Sequence, residues 1–315
     1  MGKIAPLYEN CLVSCVIAAD THIDIKHPQP WLPQLLLKRA LSDSTKARAT
    51  QDAFIIVGDT TSRGDDVNWG LAEDCFKKYP APAKEIFLPL GNHDTWNDDG
   101  YDSAVSCWYR AVEKICGKSP EKQYFSAEVG GFRFIFMGSV GDVGDMPVLG
   151  DEQLGWLDGE LAAGTKDGKP VFVFNHQSLN GRHGLPQTAE ADPPADVDPA
   201  EGGIGAESDA LEAILKKYQN VFYFSGHSHM GFCGEKFLRE KGFSSIEEED
   251  GVVLFNLPSN ACGNHSGENN RNCVGFVLEI YKDKVVVRLR DFLLHTWFKK
   301  VPVQNGRPYF EKKIR

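Results

Sequence analysis

Short apolar runs alternate with amphipathic stretches along most of the chain. Runs rich in Val, Ile and Phe at Leu12–Ala18, Phe54–Val57, Glu85–Pro89, Phe132–Met137, Val171–Asn175, Val221–Ser225, Val252–Leu257, Val274–Ile280 and Val285–Asp291 predict strands. Between several of them the apolar positions recur at helical spacing, over Pro33–Leu41, Gly70–Lys78, Ser103–Ile115, Asp151–Ala162 and Asp209–Tyr218. Near-continuous apolar strands followed by helices imply buried sheets covered by helices, an α/β architecture. From about residue 270 strands outnumber helices, and Tyr281-Lys282-Asp283-Lys284 reads as a hairpin turn. The segment from Gly181 to Ser208 is rich in Pro, Gly, Asp and Ala and has no apolar period. Two readings stand for it, a lid over a binding site or a disordered insertion. A second polar loop, Ser259–Asn272, is rich in Asn and Gly. With no internal repeat, the 315 residues read as one domain.

Composition adds exclusions. With 42% apolar and 25% charged residues the chain can bury a core, and every apolar run is too short to cross a bilayer. The formal net charge of −10 argues against a broad nucleic-acid or anionic-lipid surface, although bound cations can reverse the local field for a small anionic substrate. A lysine followed by the apolar run Cys11–Ala19 has the outline of a secretory signal. That run starts late, is broken by Ser14 and leads straight into Asp20-Thr21-His22, so it reads as a buried first strand. Eight cysteines are sparse for this length and form no CxxC pair, which fits free thiols in a reducing, cytoplasmic setting. Disulfides at Cys107/Cys116 or Cys262/Cys273 would contradict that expectation.

Five segments share one design, an apolar run ending in polar groups of metal-ligand type. They are VIAADTH (Asp20, His22), FIIVGDT (Asp59), IFLPLGNHD (Asn92, His93, Asp94), VFVFNHQ (His176) and VFYFSGHSH (His227, His229). Groups at the carboxyl ends of neighbouring strands converge on one sheet edge, where open α/β proteins bind ligands. Gly58, Gly91 and Gly226 stand immediately before ligands, where they allow a tight turn. The mixed nitrogen and oxygen set suits Mn, Fe, Zn or Co better than Ca²⁺. Seven candidates exceed one tetrahedral ion and suit two ions sharing a carboxylate, a pair able to supply a hydroxide near neutral pH.

The order D-x-H, G-D, G-N-H-D, H, G-H-x-H resembles the calcineurin-like metallophosphoesterase superfamily, over Asp20 to His229. The resemblance implies a four-layer αββα sandwich of two mixed β-sheets and hydrolysis of phosphate esters. It implies one metal on Asp20, His22 and His229, a second on Asn92, His176 and His227, and Asp59 as the bridge. His93 matches the histidine that protonates the leaving group, with Asp94 orienting it; Asp94 as a turn cap is the alternative. Ser62 stands where purple acid phosphatases have a metal-binding Tyr, and D-x-H together with QLGWLDGEL (Gln153–Leu161) is similar to the cyclic-nucleotide phosphodiesterase-like branch. A phosphodiesterase is therefore expected, with a phosphomonoesterase or nucleotidase as the alternative, and a non-catalytic module of the same fold behind both. Arg182, His183 and His265 are candidates for contact with substrate phosphate, which exposed loop positions would explain almost equally well. Gln177-Ser178, where many relatives carry Pro soon after the fourth-motif histidine, puts the shape of the substrate pocket in question.

Overall fold

The computed structural model describes residues 9–47, 50–141, 144–183, 203–233, 235–240, 242, 244–261, 273–299 and 309–314. In chain order the elements are β1 (Val13–Ala18), α1 (Trp31–Ala47), β2 (Gln51–Ile56), α2 (Asp66–Lys78), β3 (Ala83–Phe87), α3 (Tyr101–Cys116), β4 (Phe125–Val129), β5 (Phe132–Phe136), α4 (Gly150–Gly164), β6 (Val171–Phe174), α5 (Ser208–Leu215), β7 (Val221–Ser225), α6 (Glu235–Glu240), β8 (Ile246–Glu249), β9 (Val252–Asn256), β10 (Val274–Ile280), β11 (Lys284–Asp291), β12 (Thr296–Trp297) and β13 (Phe310–Lys313).

They form two mixed sheets. One has the order β12-β11-β10-β1-β2-β3, with β13 also on β11; the other runs β4-β5-β6-β7-β9-β8. β1, β2 and β3 are parallel, as are β5, β6, β7 and β9, and the antiparallel strands lie outside them. Side-chain alternation builds the layers. In β6, Phe172 and Phe174 face the other sheet, while Val171 and Val173 face helices α4 and α5. In β2, Ala53 and Ile55 join the inter-sheet core, and Phe54 and Ile56 pack under α1, α2 and α3 with Trp69 and Trp108. Helix, sheet, sheet, helix is the result, as the αββα expectation requires.

An aromatic ladder pins the register of the second sheet. Phe136, Phe174, Phe224 and Phe255 are cross-strand partners, stacked at centroid spacings of 5.1, 5.3 and 4.7 Å. Such pairs contribute roughly 0.5–1.5 kcal/mol each beyond their burial. A slip of one residue would turn all four rings out of the core. The carboxyl ends of β6 and β7 are thereby held level with each other.

Of the two disulfides that would contradict free thiols, one can be tested. Cys107 and Cys116 carry free thiols; nine residues apart on α3, they stand about 13 Å apart, beyond the ~7 Å limit for bridging. Cys262 lies outside the described residues, and Cys273 is a buried free thiol that donates to the carbonyl of Leu36. Among the described residues no helix is long and apolar enough to cross a membrane.

Candidate metal centre

All five polar clusters sit just beyond carboxyl ends of parallel strands, with Asp20 after β1, Asp59 after β2, Asn92 after β3, His176 after β6 and His227 and His229 after β7. The chain turns sharply there. Asp20, His22, Asp59, His227 and His229 all adopt positive φ, between 43° and 68°. Non-glycine residues pay for that conformation, and proteins concentrate such strain at functional sites. The preceding glycines serve two ends. Gly58 itself needs positive φ (75°). Gly91 and Gly226 instead permit close approach, because a Cβ at Gly91 would run into the Asp59 carboxylate and one at Gly226 would stand 2.6 Å from Asp20 Oδ2. The tight-turn reading thus holds for Gly58 and gives way to packing at the other two.

The ligand atoms gather in two groups that share one residue. Asp20, His22, Asp59 and His229 form one group; Asp59, His176 and His227 form the other. In the first, His22 Nε2 is 3.0 Å from His229 Nε2, which is 3.2 Å from Asp20 Oδ1. In the second, His176 Nε2 is 3.1 Å from Asp59 Oδ2, and His227 Nδ1 faces Asn92 Oδ1 at 3.1 Å. Two donors about 2.0–2.2 Å from one ion and 90–110° apart stand roughly 2.8–3.6 Å from each other, so these spacings fit shared cations. Asp59 Oδ2 also lies 3.6 Å from His22 Nε2, facing both groups. Asp20 Oδ2 and His176 Nε2 are buried polar atoms with no well-aligned hydrogen bond, a costly condition that a cation would relieve.

Electrostatics point the same way. Burial opposes the charge on Asp59, yet His176, His93 and His22 hold it well below the usual carboxylate range. Burial also disfavours a proton on His176, but Asp59 and Asp20 outweigh it and push this imidazole up to about 10. The negative field that holds that proton would equally hold a cation. Burial, helped by His229 and His93, pushes His22 down to about 3; burial and His176 do the same to His227. Both rings are therefore neutral, as ligands must be. Tautomers are set by backbone acceptors. His176 Nδ1 donates to the Val57 carbonyl at 2.8 Å, which aims Nε2 into the site.

His93 backs onto the same cluster. Its backbone N–H donates to Asp59 Oδ1 (2.9 Å) and its Nδ1 to the Ser62 carbonyl (3.1 Å). Trp96 packs against the ring at 4.0 Å between centroids. Asp94 does not orient His93, contrary to expectation. Its buried carboxylate is taken up by the N–H groups of Thr60, Thr61 and Gly91 and by the Thr61 hydroxyl. It ties the loop after β2 to the loop after β3, so it holds ligands in place without touching the acid. Ser62 Oγ donates to the His22 carbonyl and lies 3.4 Å from His22 Nδ1, a support for that ring.

Two proposed substrate contacts are corrected. Arg182 is spent on ion pairs with Glu212 (2.6 Å) and Glu249 (2.8 Å). His183 is fully buried, with Nε2 3.0 Å from Ser225 Oγ and its ring edge-on to Tyr223. His265 lies outside the described residues, as does the body of the Gly181–Ser208 segment. That segment's ends are pinned together, since Asn180 and Gly205 exchange hydrogen bonds and Ile204 N–H donates to Ser178. Three contributors were not among the predicted site residues. Asp145 accepts from Asn92 Nδ2, Gln177 reaches the Asp145 carbonyl, and Ser259 Oγ donates to the Asp20 carbonyl.

Comparison with known proteins agrees with this geometry. The family model for calcineurin-like phosphoesterases matches residues 14–231. Comparison with curated proteins gives no match. The fold is similar to a dimetal phosphatase from Danio rerio, with TM-score 0.62 and 15% identity over 90% of this chain and 97% of that one. It is also similar to a purple acid phosphatase from yellow lupin seeds, with TM-score 0.59 and 13% identity over 95% of this chain and 53% of that one. At such identities the likeness speaks for the fold alone. Two thirds of the sequence, the two-sheet fold and the paired ligand groups place the chain in the calcineurin-like phosphoesterase family, as a hydrolase acting on phosphoric esters at a pair of metal ions.

Proposed function

We propose that the chain cleaves small phosphodiesters. Asp20, His22 and His229 would hold one cation, Asn92, His176 and His227 the other, and Asp59 both. The observation that carries this assignment is that Asp59 Oδ2 faces His22 on one side and His176 on the other. Mixed imidazole, amide and carboxylate donors favour Mn, Fe or Zn. When bound, such a pair neutralises phosphoryl oxygens and makes a water-derived nucleophile available near neutral pH.

The protein's own groups do the rest. With Nδ1 donating to the Ser62 carbonyl, Nε2 is the ring nitrogen of His93 left to exchange a proton with substrate. A proton delivered there is what a departing alkoxide would take up, and Trp96 packs against the ring. The preference for diesters rests on charge. Arg63, beside Ser62, pairs with Asp98, and Arg182 pairs with Glu212 and Glu249. Asp145 adds a carboxylate next to Asn92. A monoester brings a second negative charge that these arginines are not placed to meet. Free thiols at Cys15, Cys75, Cys107, Cys116 and Cys273 go with a reducing, cytoplasmic setting.

The test is a panel of bis-p-nitrophenyl phosphate, p-nitrophenyl phosphate and cyclic nucleotides with the Mn²⁺-loaded enzyme. Diesters are expected to exceed the monoester in kcat/KM by at least about tenfold, equivalent to about 1.4 kcal/mol. The opposite ratio would make the chain a phosphomonoesterase or nucleotidase.

A further inference from the structure

The side-chain amide of Asn92 can serve a cation only through Oδ1, yet an asparagine amide has two faces of similar shape and opposite chemistry. Something must decide which one meets the site. Asp145 Oδ1 lies 3.1 Å from Asn92 Nδ2. A carboxylate only accepts, so it captures the NH₂ end and turns Oδ1 towards His227 Nδ1, 3.1 Å away.

Asp145 belongs to neither ligand group, and it is exposed on a loop. That loop is nonetheless fixed at three places. Its neck is closed by Val140 N–H donating to Val148 (2.8 Å). Gln177 Nε2, from the residue after His176, donates to the Asp145 carbonyl at 2.8 Å. Glu207 accepts from the N–H groups of Leu149 (2.7 Å) and Gly150 (2.6 Å), where the loop enters α4. A merely solvated surface carboxylate would need none of this support. It also gives Gln177 a use, since the amide anchors the Asp145 loop to the strand end that delivers His176.

We propose that Asp145 is a positioning residue for Asn92, selecting the amide face that binds the second cation, with Gln177 holding Asp145 in register. The assignment rests on the two-cation reading above. Outer hydrogen-bond partners of metal ligands typically govern about 10–100-fold in metal affinity.

The experiment compares wild type, Asp145→Ala and Asp145→Asn by Mn²⁺ titration calorimetry and by elemental analysis after dialysis. The Asn92 side-chain amide resonances of the metal-free proteins are followed in parallel by NMR, with unfolding curves as a check on folding. Asp145→Ala is expected to weaken one of two sites about 10–100-fold, leave the other intact and shift the Asn92 amide signals. Asp145→Asn, whose Oδ1 can still accept from Asn92, is expected to recover most of that loss. If Asp145→Ala binds both ions like wild type, or if Asp145→Asn is as impaired as the alanine variant, the assignment is overturned. A wild type that takes up fewer than two ions removes the two-cation reading itself, and the assignment with it.

Discussion

Replacing Asp94 with alanine separates two roles that its position beside His93 leaves open. The carboxylate is fully buried and accepts from Thr61 N (2.8 Å), Thr61 Oγ1 (2.9 Å), Gly91 N (3.0 Å) and Thr60 N (3.2 Å). Alanine strands three backbone donors in a buried site, and at roughly 1–3 kcal/mol for each the gross cost is about 3–9 kcal/mol. Part of that is recovered, because burial and the neighbouring Asp59 already disfavour the charge and push this carboxyl up to about 6. About 3–5 kcal/mol remains, the lower part of that range. At about 2.1 cal/mol/K of unfolding entropy per residue, a chain of 315 residues loses about 5–8 °C in Tm. The assay is calorimetric unfolding in chelator, so that metal binding does not contribute. Metal content and turnover are then measured after reloading. A Tm within about 1 °C of wild type, with both ions retained and alkyl-ester turnover lost, would refute the clamp and restore Asp94 as the residue that orients His93.

Three further outcomes follow from the same geometry. His93→Asn should keep both ions and lose about 10²–10⁴-fold on alkyl phosphodiesters but less on p-nitrophenyl esters, whose leaving group barely needs a proton; equal losses on both would mean that His93 acts by holding the phosphoryl group. Gly91→Ala should bind fewer than two ions by elemental analysis, because the new Cβ collides with Asp59, and full metal content would show that the loop yields. Arg182→Ala should change kcat/KM by less than about twofold and Tm by less than about 2 °C, as befits a partly exposed ion pair; a large rise in KM would return Arg182 to the substrate site.

Strands β6 and β7 were legible because burial on both faces leaves them almost wholly apolar, Val171–Phe174 entirely and Val221–Ser225 up to Phe224. The ligands were legible because each follows such a run directly. Elsewhere the signal fails for physical reasons. β8, with sequence IEEE, is an edge strand whose only apolar residue is Ile246; it exists because β9 offers a backbone edge. β4 was missed although Phe125, Ala127 and Val129 alternate correctly, since Ser126 and Glu128 dilute a short run. Arg182 and His183 follow the His176 segment closely in sequence, but the chain turns away, leaving one in an ion-pair network and the other in the core. Asp94 stands beside His93 in sequence, but a 3₁₀ turn over His93–Thr95 points the two side chains to different partners. Asp145 meets Asn92 across 53 residues, a contact that no local pattern can announce.

The central claim is a pair of cations sharing Asp59. Metal-free protein loaded with Mn²⁺, dialysed and analysed for bound metal alongside diester turnover tests it most directly. The account predicts two ions per chain in the wild type, and loss of most turnover with weakened binding at both sites in Asp59→Asn, because the shared position needs a charge. One ion per chain in the wild type, or an Asp59→Asn variant that keeps two ions and near-normal turnover, would contradict it.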